Sequence, residues 1–99
     1  MLHTVNKSPF ENRTLETCLR FALQGSAVLL IEDGVYAVAQ GSAVSGQVQE
    51  AMKNVSIYAL KPDVEARGIQ NRVMDGVRLV DYGGFVDLVA EHNAVQSWL

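Results

Sequence analysis

Along the chain, apolar residues alternate between short continuous runs and recurrences every three or four positions. Met1 to Val5 (MLHTV) is short, apolar and β-branched, which predicts a strand ended by the turn residues Asn6-Lys7-Ser8-Pro9. Ser8-Pro9-Phe10-Glu11 has the form of a capping box, with Ser8 at the N-cap and Pro9 at the first helical position, so a helix is expected to begin there. Phe10, Leu15, Cys18, Leu19 and Ala22 carry the helical spacing to about Leu23, and Gly25 supplies the stop.

Ala27 to Ile31 (AVLLI) is apolar throughout, as in a parallel strand buried on both faces. Glu32-Asp33-Gly34 closes it, Val35 to Gln40 predicts one or two helical turns, and Val44 to Lys53 resumes a helix after the small residues Gly41-Ser42-Ala43. Val55 to Leu60 (VSIYAL) predicts a third strand, followed by Lys61-Pro62-Asp63 and a short helix that Gly68 ends. Val77 to Val80 (VRLV) predicts a fourth, then a flexible Asp81-Tyr82-Gly83-Gly84 junction and a helix from about Phe85 to Asn93. Strands alternating with helices, joined by connections too long for hairpins, imply parallel pairing and right-handed crossovers. The expected fold is a three-layer α/β/α domain with an open, mainly parallel sheet of four to five strands.

The 99 residues suit one domain spanning 1–99, and 48% apolar against 19% charged residues is a globular balance. Eight basic residues scattered singly, in a chain of net charge -3, give no stripe to neutralise phosphates, so neither direct nucleic-acid binding nor an acidic membrane surface is expected. The single cysteine forbids an internal disulfide, and with only His3 and His92 beside it no zinc pattern can be built. The N-terminal segment lacks a leader pattern and no apolar run approaches the roughly 20 residues that span a bilayer, so a cytoplasmic protein is expected.

In a parallel sheet the functional edge is the carboxyl end of the strands, which here carries Asn6-Lys7, Glu32-Asp33, Lys61 and Asp81-Tyr82. Helix capping by Asp33 and Asp81 and solvation of Glu32 and Lys61 account for these residues more simply than catalysis does. Glu32 and Asp33, adjacent at a strand end, point to opposite faces and do not form an acid and base pair. No G-x-G-x-x-G follows the first strand, which counts against a nucleotide-binding domain, and no G-x-S-x-G elbow exists.

Two features remain. Cys18 shares the spacing of Leu15, Leu19 and Ala22, which puts its sulfur on the apolar stripe or at its border, and spacing alone favours a core role over a reactive one. Trp98-Leu99 closes the chain with a large aromatic: it either folds back on its own core or anchors in a partner subunit, and the partner reading is preferred.

The segments MLHTVNKSPF, LLIEDGVYA, YALKPDVEARGI, VDYGGFVDL and a terminal tryptophan, in that order, resemble the DsrH/TusB family over nearly the whole chain. The resemblance implies a DsrEFH-like fold and a small subunit of a sulfur-relay complex, a dimer of heterotrimers with DsrE/TusD-like and DsrF/TusC-like subunits and a DsrC/TusE-like sulfur donor or acceptor. Such complexes pass persulfide sulfur between cysteines without metal or nucleotide, in sulfur oxidation for DsrEFH and in tRNA wobble-uridine 2-thiolation for TusBCD. The principal accepting cysteine in these complexes belongs to the larger subunit, and LKPDVEARG here has none. A cysteine on the first helix marks DsrH-like chains, so Cys18 becomes a candidate persulfide carrier and sulfur oxidation the expected setting. The alternative is a TusB-like structural subunit with Cys18 inert.

Overall fold

The computed structural model describes residues 1–99. The shortest apolar segments became strands because each has two faces to bury: β1 (Leu2–Val5) and β2 (Ala27–Leu30) are buried at every position. With β3 (Ser56–Leu60), β4 (Arg78–Val80) and β5 (Val95–Trp98) they form one parallel sheet in the order β4-β3-β2-β1-β5. The fifth strand comes from the terminal segment, which carried no strand prediction of its own.

The topology dictates what covers each face. The chain steps from β1 through β4 in one direction, so right-handed crossovers put α1 (Thr14–Phe21), α2 (Ser45–Ala51) and α3 (Lys61–Ala66) on the same face. A 3-10 helix, Glu32–Val38, joins them there. The return from β4 to β5 runs the other way across the sheet and sets α4 (Tyr82–Glu91) on the opposite face. The core divides accordingly: Val5, Val28, Leu30, Ile57 and Ala59 face the first layer with Leu15, Cys18, Val35, Val48 and Val64, while Leu2, Ala27 and Leu29 face α4 through Leu88.

Three local expectations change. The Ser8 segment is a turn, in which Ser8 Oγ accepts from the Phe10 N–H at 3.2 Å, and α1 starts only at Thr14, whose N–H donates to Asn12 Oδ1 at 2.9 Å. Asn12 forms a local turn ahead of the helix because its short carbonyl reaches the N–H two residues on, and Arg13 is the N-cap. Val35 to Gln40 belongs to the 3-10 helix that starts at Glu32. α4 begins at Tyr82, three residues before Phe85, because Asp81 Oδ1 caps it by accepting the Gly84 N–H at 2.8 Å; Gly83 and Gly84 are therefore helical. Gly84 also lies against Val80, close enough that a Cβ would meet that side chain at 2.9 Å.

Candidate functional site

The only thiol is the first place to look. α1 is short and amphipathic, and it turns Leu15 and Cys18 onto the sheet. Cys18 is completely buried among the first-face side chains. That apolar setting withholds water from the thiolate and pushes the thiol up from 9.0 to about 12. The neighbouring cation on the helix, Arg20, is exposed and leans toward Glu16 at 3.6 Å. Cys18 is thus a protonated, enclosed sulfur at neutral pH.

The carboxyl edge of the sheet holds a second constellation, built on the Glu32-Asp33-Gly34 turn. Glu32 takes a left-handed backbone conformation with φ of 50°, and Gly34 lies so close to β1 that a Cβ there would be 2.3 Å from the Val5 carbonyl oxygen. The turn is clamped from α3 and its C-terminal end: Asp63 Oδ2 accepts the Glu32 N–H at 2.7 Å, while Arg67 donates through Nε to Asp33 Oδ1 at 3.0 Å and pairs with the same oxygen through Nη2 at 2.9 Å. Arg67 also donates to the Asp63 carbonyl at 3.2 Å and lies over the Tyr36 ring. Asp33 is therefore not the cap expected of it. It is an ion-pair partner, and Asp63 receives the free N–H instead. Lys61 is exposed and Asp81 is committed to the α4 cap. The cluster ties α3 to the end of β2 and engages the Asp33 and Asp63 carboxylates, while the exposed Glu32 takes part through its backbone N–H.

A third place was not visible in the sequence. Beyond the C-terminal end of α1, an apolar groove of about 420 Å³ opens between Phe21 and Leu23 on one side and His3, Gln96 and Trp98 on the other. Trp98 Nε1 donates to His3 Nδ1 at 3.1 Å, which makes Nδ1 the acceptor and leaves the imidazole proton on Nε2. His3 is 4% exposed, and its burial holds it neutral below its usual 6.5. Trp98 folds onto its own sheet, half-buried against the first-face core, as the fold-back reading expects. The cause is the β1–β5 ladder, whose register sets Trp98 opposite Val5. Leu99, beyond the ladder, is 81% exposed. No group of three or more His, Cys, Asp or Glu side chains is placed to hold a metal ion, and no helix is long and apolar enough to cross a membrane.

Comparison with known proteins places this arrangement. The ychN protein from Escherichia coli shares the fold with a TM-score of 0.82 at 21% identity, over 97% of each chain. A protein of unknown function from Methanobacterium thermoautotrophicum does so with a TM-score of 0.75 at 21% identity, over 97% of this chain and 95% of that one. In sequence, Protein TusB of Pectobacterium parmentieri is 38% identical over 98 residues, 99% of this chain and all of that one. Protein TusB of Escherichia coli is 33% identical over 100 residues, with the same coverage. Residues 7–95 match the family described as DsrH like protein, and the chain belongs to that DsrH/TusB family.

Proposed function

We propose that this chain is the TusB-like subunit of a sulfur relay serving tRNA wobble-uridine 2-thiolation, and that its part there is structural, with Cys18 inert. Its kinship with TusB chains over its full length supports the setting. The burial of its one thiol is the observation that carries the role. Passing sulfur requires a thiolate to attack the outer sulfur of a persulfide, so that R–S⁻ and R′–S–SH become R–S–SH and R′–S⁻. A thiol at about 12 is ionised to roughly one part in 100,000 at pH 7, and an enclosed sulfur offers no line of approach. The relay thiols then belong to partner chains, TusD-like and TusE-like, and this chain completes the assembly with a TusC-like subunit in a dimer of heterotrimers.

A DsrEFH-type role in sulfur oxidation rests on Cys18 alone, and the relatives compared carry the TusB name instead. The deciding experiment is intact mass of the purified three-subunit complex after exposure to a persulfide donor, with the wild-type chain and with Cys18→Ser. The structural reading expects a reducible gain of sulfur on the TusD-like subunit only, equal in both complexes. A reducible gain of one sulfur on the wild-type chain, absent from Cys18→Ser, would overturn it. For the setting, a cell lacking the chain should lose 2-thiouridine from its tRNA and regain it with Cys18→Ser.

A further inference from the structure

Helix α4 reads YGGFVDLVAE, and only Asp87 and Glu91 among its ten residues are charged. A helix apolar almost all round belongs inside a protein, yet α4 has the sheet on one side and solvent on the other. Phe85 and Leu88 point inward and satisfy the sheet. Tyr82, Val86 and Val89, at i, i+4 and i+7, form a second stripe on the outside, with exposures of 61%, 66% and 41%. Single exposed apolar side chains need no explanation, but a contiguous helical stripe marks an interaction surface.

The charges beside the stripe select its occupant. Asp87 and Glu91 border it along one edge, and Asp81 stands at the helix start. The basic side chain of β4 on this face, Arg78, is engaged over the Tyr58 ring. A second copy of the chain, docking by the same patch, would set acids against acids in a molecule already at net charge -3. An anionic membrane surface would be repelled in the same way. We infer that the outer face of α4, centred on Val86, is the docking surface for a different protein chain whose own apolar stripe is bordered by Lys or Arg. This deepens the function proposed above and rests on it for the candidates, the TusC-like and TusD-like subunits.

The test co-expresses the affinity-tagged full-length chain with those two subunits from the same source and measures how much of each is retained. Val86→Lys removes no core contact and should melt like wild type when purified alone, yet retain the partners at least tenfold less. Asp87→Lys should weaken retention several-fold at low salt, the difference shrinking as salt rises. Partners retained on Val86→Lys at the wild-type level would overturn the inference and leave the function standing. A wild-type chain that dimerises alone, and is split by Val86→Lys, would also overturn it and make a second copy the occupant. Failure of the wild-type chain itself to retain either subunit would instead overturn the function reading, and the assigned partner with it.

Discussion

The two faces of the sheet are buried to very different depths. On the first, three helices and a 3-10 segment enclose a cluster of 15 buried residues; on the second, one helix encloses a cluster of four. The difference comes from topology, since three successive crossovers in one direction leave a single return crossover for the other side. It teaches where fold and function part company. The first face holds the fold, and it encloses Cys18 completely. The second retains an apolar surplus on α4 that the chain itself does not cover.

The sharpest way to break the comparison is to strike the first face at its tightest point. Gly34→Ala puts a Cβ 2.3 Å from the Val5 carbonyl oxygen, both main-chain positions that cannot swing aside. A loss of about 3 kcal/mol or more is expected, read as a lower urea midpoint at unchanged slope. Of comparable size, Leu30→Ala on the first face should cost about 3–4 kcal/mol, and Leu88→Ala on the second about 2, because the thinner layer over α4 collapses more readily into the space. Equal losses would show the second face to be as well packed as the first.

What was legible in the sequence follows the same division. Short apolar and β-branched runs disclosed β1, β2 and β3, and helical recurrence disclosed α1 and α2, because both patterns record burial directly. Val95 to Trp98 disclosed no strand. The segment is an edge strand with Val95, Gln96 and Ser97 exposed, so it lacks the continuous apolar run that marks the central strands. The helix starts at Ser8 and Phe85 were misplaced for a related reason, since only geometry decides between local partners. Ser8 bonds the Phe10 N–H in a turn and Asn12 the Thr14 N–H, while the Asp81 cap draws Gly83 and Gly84 into the helix. Cys18 on the apolar stripe was legible, and its core reading followed from spacing. The Asp33–Arg67 pair joins residues 34 positions apart and had no local signal.

A smaller effect sharpens the enclosed state of the first face. At pH 8 a thiol at about 12 presents about 1,000-fold less thiolate than one at its ordinary 9.0, and Cys18 is sterically closed besides. Its reaction with a thiol reagent in the folded chain should therefore be slower by at least that factor than in denaturant. The same displacement has a sign for stability. The folded chain keeps its proton up to about 12 while the unfolded chain gives it up near 9.0, so stability is full below pH 9 and falls as pH rises above it. Cys18→Ala should cost about 1 kcal/mol at neutral pH and abolish that alkaline decline. Rapid labelling of the native thiol would contradict the enclosed picture and restore Cys18 as a carrier.

The smallest expected effect lies where the first face ends, at β5. His3 is buried neutral below its usual 6.5, whereas in the unfolded chain it takes up a proton near that value. The unfolded state thus binds more protons as pH falls below 6.5, and stability, full above that pH, declines on acidification. Protonated His3 cannot accept from the Trp98 indole, so the strand edge loses a hydrogen bond worth about 1 kcal/mol. Trp98 is the chain's one tryptophan, and its emission reports this contact without labelling. Between pH 7 and 5 the wild-type chain should lose stability and change its emission, while His3→Gln, which keeps an acceptor that does not titrate, should do less of both. Identical profiles would mean that the ladder to β1 alone holds β5, and that the edge is as firmly built as the centre of the sheet.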